Sequence, residues 1–278
     1  MSTTPDSVRD HYEAANGERD LAATIRQMIE AGDGRIDAAQ MAAFDQFHVG
    51  GLAATKAFDA LLDLRPGERA LDAGSGLGGP ARHMAETFGC HVTGVDLAPS
   101  FVAVAQLLAE RTGMSEQVSY QVGDLLALPF ADACFDVVFT QHVVMNIDDR
   151  EKVYREIARV LRPGGRFGFY DVLAAEGGEP PIYPTPWAAT REASFLRTEA
   201  LTRQALAQAG LTVEVWNDVT DKAQGWFAQQ RLGFSPVANP APSLVTVMGP
   251  RFGEMAANIA RNLAEGRVRL VMARCLLP

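Results

Sequence analysis

The chain is poor in cysteine. Its 278 residues hold three, Cys90, Cys134 and Cys275. They are too far apart for a C-x-x-C pair or a metal-ligand set, so neither a disulfide scaffold nor a metal centre is expected. Reduced, buried thiols of a cytoplasmic protein fit better. Apolar residues make up 47% of the chain, yet no run approaches the roughly 20 needed to span a bilayer. The polar opening MSTTPDSVRDHYEAANG has no apolar signal core. A soluble protein with no membrane partner is the expectation. Runs of like charge are also missing, and the net charge is -9. Phosphate backbones need concentrated Lys and Arg, so this balance argues against nucleic acid as a partner. Internal repeats and low-complexity tracts are absent.

What is present falls into two regimes. Residues 1–66 read as a helical N-terminal cap. In RDLAATIRQMIEAG, Leu21, Ile25, Met28 and Ile29 recur at helical spacing up to Gly32. DAAQMAAFDQF and LAATKAFDALLDL follow, parted by Gly50 and Gly51. Pro66-Gly67 then turns the chain, and over 67–278 short apolar runs alternate with amphipathic helices. RALDAG, CHVTGVD, VSYQVGD, FDVVFTQ and RFGFYDVL read as strands, the last entered through a Pro163-Gly164-Gly165 turn. This order predicts an α/β fold, a parallel sheet with helices on both faces. LTVEVWND and VRLVMARCLL add two strands, consistent with a seven-stranded sheet. Two segments read as lid-like insertions, about 176–197, with the irregular GGEPPIYPTPW, and about 221–266. The helical part of the second either covers a site or forms a homodimer surface.

LDAGSGLGGPARH joins the first strand to the helix after it. Gly74, Gly76 and Gly79 fit G-x-G-x-x-G; Asp72 with Gly74, Gly76 and Gly78 fits D-x-G-x-G-x-G. Both patterns bring a nucleoside cofactor against the backbone. Asp96, ending the second strand, can accept hydrogen bonds from both ribose hydroxyls of any adenosine, so it does not separate NAD from other cofactors. Asp72 is more informative. A carboxylate beside this turn repels a pyrophosphate and attracts the ammonium and sulfonium of S-adenosylmethionine. The alternative is that Asp72 only ties down the turn by accepting from backbone amides. The third strand ends in Gly123-Asp124-Leu125, where an Asp can accept from an adenine amine while its apolar neighbour packs on the ring.

Taken together, LDAGSGLGG, VTGVDL, VGDLLALPFADACFDVVF and LRPGGRF, in this order and spacing, resemble the class I S-adenosylmethionine-dependent methyltransferases over about residues 67 to 175. The resemblance implies a Rossmann-like seven-stranded sheet with an antiparallel last strand. It implies S-adenosyl-L-methionine as cofactor, S-adenosyl-L-homocysteine as product, and in-line displacement at the sulfonium carbon. By position, Gly74, Ser75 and Gly76 would underlie the methionine part, Asp96 and Leu97 the ribose and one adenine face, Asp124 and Leu125 the adenine edge. Gln141 and His142 would sit near the methyl group.

Ahead of the first strand, AAFDQFHVGGLAATKAF resembles a bacterial small-molecule group related to the sarcosine/dimethylglycine- and tocopherol-type methyltransferases. This implies a small acceptor, with Gln46, Phe47, His48 and Gly51 closing over the methionine end, and Tyr12 doing likewise. His142 is the candidate general base, since an imidazole titrates near neutrality; the other reading is a histidine that only lines the pocket, and His48 shares that ambiguity. His11 and His83 read as solvated helix residues and His91 as a strand opener. Met145, Asn146, Tyr170, Tyr183 and Trp187 are candidate acceptor contacts, with Asn146 equally readable as a helix end; Asp171 reads with Tyr170 as orienting an acceptor and equally as a cap for the loop that follows. The alternative functions are an NAD(P)-dependent oxidoreductase, which leaves Asp72 and Gly123-Asp124 unexplained, and a non-catalytic cofactor-binding partner subunit.

Overall fold

Apolar runs bounded by glycine, proline and polar turns become strands: β1 (Arg69–Ala73), β2 (His91–Asp96), β3 (Val118–Val122), β4 (Phe135–Gln141), β5 (Leu161–Ala174), β6 (Thr212–Asp218) and β7 (Val268–Leu276). The computed structural model describes residues 20–31, 36–233 and 242–278, with the side chains of 230–233 left aside. The strands form one seven-stranded sheet in the order β3-β2-β1-β4-β5-β7-β6. Pairing is parallel from β3 to β5, and β7 runs antiparallel to both β5 and β6. The direction of winding reverses between β1 and β4, and ligands of open α/β sheets bind beyond the carboxyl ends of strands at such a switch point.

Helices cover both faces, as central strands buried on both sides require. They are α1 (Leu21–Glu30), α2 (Ala38–Asp45), α3 (Gly51–Leu62), α4 (Gly79–Phe88), α5 (Pro99–Arg111), α6 (Arg150–Val160), α7 (Glu199–Gln208), α8 (Thr220–Gly233), α9 (Leu244–Met248) and α10 (Phe252–Ala264). Local sequence explains several boundaries. Asp37 and Gln40 form a capping box at α2. The Asp149 side chain accepts from Lys152 N at α6, with Glu151 in the first turn. Gly89, at φ +67°, closes α4.

The helices ahead of β1 are part of the core. Leu21, Ile25, Ile29, Met41 and Phe44 pack with Leu77 of the first turn, with Phe101, Val104 and Leu108 of α5, and with Met248. On the other side, α3 lies so close to β5 that a Cβ on Gly168 would sit 2.1 Å from Leu62 Cδ2.

One boundary differs from the sequence reading. Pro163-Gly164-Gly165 was expected as a turn into β5. The strand instead begins at Leu161 and runs through these residues as an irregularity. Its pairing jumps from Phe135↔Leu161 to Val137↔Arg166, and Gly164, at φ +76°, absorbs the extra residues.

The 176–197 segment is irregular apart from an isolated bridge between Thr185 and Ala188 and a short 3-10 turn, Arg191–Ala193. It is nonetheless fastened. Asn262 on α10 accepts from Ile182 N at 2.7 Å and donates to Ile182 O at 3.0 Å. Asn258 donates to Pro184 O at 2.9 Å, and Trp187 Nε1 donates to Ser194 Oγ at 2.9 Å. Among the described residues no helix is long and apolar enough to cross a membrane.

Candidate functional site

β1 delivers the chain into a turn through Gly74 (φ +90°), Gly76 (φ +51°) and Gly78 (φ +74°), left-handed values that suit glycine. Space imposes the same choice. A Cβ on Gly74 would lie 2.4 Å from a Val143 methyl, and one on Gly76 2.8 Å from the Phe47 ring. The turn is pinned by its neighbour strand. Gly74 N and Ser75 N donate to Val95 O at 2.7 and 3.0 Å. Gly76 N donates to Asp96 Oδ2 at 2.8 Å, and Ala98 N to Asp96 Oδ1 at 2.9 Å. Asp96 thus shapes the loop from both oxygens; each carboxylate oxygen carries two lone pairs, so this is compatible with hydroxyl binding as well.

Above the turn opens a cleft of about 1160 Å³, its mouth included. Asp72 reaches it with only 2% of its surface exposed. Its Oδ2 is buried and has no hydrogen-bond partner, as has Ser75 Oγ. Burial first, then the charge of Asp96, push the Asp72 carboxyl well above the usual carboxylate range, against the pull of Arg82. The reading in which Asp72 ties down the turn finds no support: none of the loop amides donates to it. A buried acceptor left unmatched costs roughly 1–3 kcal/mol, and a bound cation or donor removes that cost. The residues therefore fit S-adenosylmethionine: a glycine cradle with no room for side chains, an unmatched carboxylate for a cationic amino acid moiety, and Asp96 and Asp124 on the cleft wall for an adenosine.

Across the cleft, Gln141 ends β4 and His142 follows at φ +56°, a left-handed value uncommon outside glycine. His142 N donates to Tyr170 O at 2.7 Å. Its ring lies 4.7 Å from the Tyr170 ring and 6.0 Å from that of His48. His142 Nε2 is buried without a partner. His48 Nε2 lies 2.9 Å from Thr55 Oγ1, which donates to Gln46 Oε1 at 2.7 Å. Burial, then the nearby His48, hold the His142 pKa well below the ordinary imidazole value, and burial brings His48 to about 4. Both rings are therefore neutral at pH 7.

Most of the residues singled out in the sequence meet here. The first turn contributes Asp72, Gly74, Ser75 and Gly76; β2 and β3 contribute Asp96, Leu97, Asp124 and Leu125. Gln141, His142, Met145, Asn146, His48 and Trp187 line the far side. Asn146 ends a 3-10 turn, Val144–Asn146, and its Nδ2 donates to Val143 O at 3.1 Å. Three candidates lie off the wall. Gln46 sits behind His48, bonded to Thr55. Tyr170 is 2% exposed and its hydroxyl donates to Val49 O at 2.9 Å, so it holds the segment after α2. Tyr183 packs against the core beneath the 176–197 segment. Asp171 is buried and accepts from Met145 N, bracing the wall from behind. Tyr12 and His11 fall outside the described residues. His83 is a correction: expected in solvent, it is half-buried with Nε2 3.0 Å from Asp59 Oδ2, because α3 packs beside α4. Asp45, Phe101 and Met248 also line the cleft and were not foreseen; only Asp45 carried a signal, standing next to Gln46 in the capping segment.

Residues 71–169, which contain this turn and the strands β1 and β4 that flank the switch point, match the family model described as a methyltransferase domain. This central segment therefore carries a methyltransferase domain, in agreement with the class I S-adenosylmethionine-dependent methyltransferases that the motifs resemble. A sterol 24-C-methyltransferase of Gibberella zeae is 39% identical over 115 residues, 41% of this chain and 30% of that relative. The chain spans between 23% and 34% of the length of the curated sterol and phosphoethanolamine methyltransferases it matches. Among solved structures, phosphoethanolamine N-methyltransferase 2 of Haemonchus contortus with S-adenosyl-L-methionine is similar in fold at a TM-score of 0.75 and 19% identity, covering 100% of this chain and 60% of that one. Geranyl diphosphate C-methyltransferase of Streptomyces coelicolor A3(2) is similar at a TM-score of 0.72 and 17% identity, covering 100% and 99%. At these identities the structural likeness concerns the fold. It agrees with the sheet order and with the antiparallel β7 expected from the family.

Proposed function

We propose that this methyltransferase transfers the methyl group of S-adenosyl-L-methionine to a small-molecule acceptor by in-line displacement, leaving S-adenosyl-L-homocysteine. The observation that carries the reading is the buried, unpartnered Asp72 Oδ2 at the glycine turn. When bound, the cofactor supplies a methyl carbon already activated by a sulfonium, so the protein's share is alignment and exclusion of water. Asp72 and Ser75 hold the methionine end over the glycines. Asp96 with Leu97, and Asp124 with Leu125, hold the adenosine. Trp187, Met145 and Asn146 close the acceptor side, and His48 and Gln141 orient what enters. His142 Nε2, neutral and unpartnered, accepts the acceptor's proton. Residues 1–66 act as the cap, and 176–197 and 221–266 as lids over the acceptor.

The test is a calorimetric titration with S-adenosylhomocysteine, run in parallel with NADH and NADPH. Micromolar binding of the homocysteine compound alone is the expected result, followed by a screen of acceptors with labelled methyl donor. Binding of a nicotinamide nucleotide instead would overturn the reading, because Asp72 would then face a pyrophosphate. We further expect a cytoplasmic homodimer, checked by cell fractionation and light scattering; the reduced thiols of the three cysteines support the compartment.

A further inference from the structure

Asp45 is the last residue of α2, ahead of the sheet and outside every motif of the cofactor domain. Its side chain is 4% exposed and reaches the cleft. Oδ2 accepts from Arg82 Nη2 at 2.7 Å, while Oδ1 is buried without a partner. The carboxylate rests on the start of α4, where a Cβ on Gly79 would lie 2.6 Å from Asp45 Cγ and 2.7 Å from Oδ1. Gly79 is therefore the vacancy that admits Asp45. Arg82, itself 3% exposed, donates through Nη1 to Leu77 O at 2.9 Å, which ties the guanidinium to the glycine turn. Asp45 is thus gripped at one oxygen and unmatched at the other, beside the same loop as Asp72.

Charge points the same way. Asp45 and Asp72 both line this end of the cleft and both feel the Arg82 guanidinium, and burial outweighs it in raising either pKa. One arginine serves two buried carboxyl groups, each with an oxygen left unmatched, so the site calls for a further cation rich in N–H donors. An α-ammonium has three such donors.

The geometry points to Asp45 as a cofactor-binding residue: its Oδ1 accepts a hydrogen bond from the α-ammonium of the methionine moiety, and Arg82 is the positioning residue that aims it. This rests on the methyl-donor reading above. It makes the helical cap a part of the cofactor site, joined to α4 through one carboxylate.

The test is a cycle of protein and ligand variants read by calorimetry. The ligands are S-adenosylhomocysteine and its analogue with hydrogen in place of the α-amino group. The proteins are wild type and Asp45→Asn, which keeps an oxygen for Arg82 and removes the charge; Asp45→Ser serves if that variant does not fold by circular dichroism. Loss of the amine should weaken wild-type binding at least ten-fold, and this penalty should shrink at least five-fold in the variant. An unchanged penalty, with both ligands weakened equally or not at all, overturns the assignment and leaves Asp45 a clamp between α2 and α4. Failure of the wild type to bind S-adenosylhomocysteine would instead remove the methyl-donor reading, and this assignment with it.

Discussion

Gly74→Ala probes whether the first turn and the segment after β4 form one wall. At φ +90° an L-residue carries a backbone penalty of about 1–2 kcal/mol. The new methyl would also lie 2.4 and 2.5 Å from the two Val143 γ-carbons and 3.0 Å from its Cβ. A rotamer change cannot clear a contact that reaches Cβ, so backbone must shift, and overpacking of this kind costs about 1–3 kcal/mol. The summed loss is about 2–5 kcal/mol. Gly113 is the control, with φ +70° and nothing within 4 Å of its missing Cβ; there the loss stops at about 1–2 kcal/mol. Urea unfolding of the two variants should separate them by about 1–3 kcal/mol. Val143→Ala added to Gly74→Ala makes room for the methyl and should give an interaction energy of at least about 1 kcal/mol in the double-mutant cycle. Equal losses at Gly74 and Gly113, or a strictly additive double variant, would refute the shared wall. Because Val143 precedes Met145, a shifted Val143 should also weaken S-adenosylhomocysteine binding in the single variant.

Three further outcomes are expected. Asp72 holds its proton above the usual range in the free protein, and a positive ligand lowers that pKa, so S-adenosylmethionine binding should release protons; titration in buffers of unlike ionisation enthalpy reads this, and Asp72→Asn should abolish it. His142→Ala should leave S-adenosylhomocysteine affinity within about two-fold and cut turnover by about 10²–10⁴; loss of cofactor binding would contradict the base assignment. The folded His48 pKa is lowered from 6.5 to about 4, so the unfolded chain binds more protons between those values. Stability should then fall as pH drops from 6.5 to 4, by up to about 3 kcal/mol from this residue, and His48→Gln should flatten the acid limb of the urea-midpoint profile.

The cofactor half of the site was legible because it is written locally. Asp72, Gly74 and Gly76 lie within one strand-turn-helix, and the carboxyl ends of β1, β2 and β3 bring Asp96 and Asp124 alongside by sheet order alone. The acceptor half was less so, because its side chains depend on packing between elements distant in sequence. Tyr170 looked poised to meet an acceptor at the strand edge; the hydroxyl goes to Val49 O because α3 packs over β5. Asp45 showed no more than its place beside Gln46 for the same reason: its partner Arg82 lies on α4, and only the fit at Gly79 brings them together. His83 looked solvated from helix periodicity, which says nothing of the Asp59 that faces it. The Pro163-Gly164-Gly165 stretch misled through its composition, since glycine serves a strand irregularity as well as a turn.

The fastening of the 176–197 segment to α10 has an evolutionary consequence. Ile182, Pro184, Asn258 and Asn262 bond to one another across a junction that involves no strand pairing. The wall carrying Trp187 can thus be lengthened, shortened or replaced together with its anchor on α10 while the ladders from β3 to β5 keep their register. Under the proposed function, selection could trade acceptors at this end of the cleft without disturbing the end held by the glycine turn and the sheet.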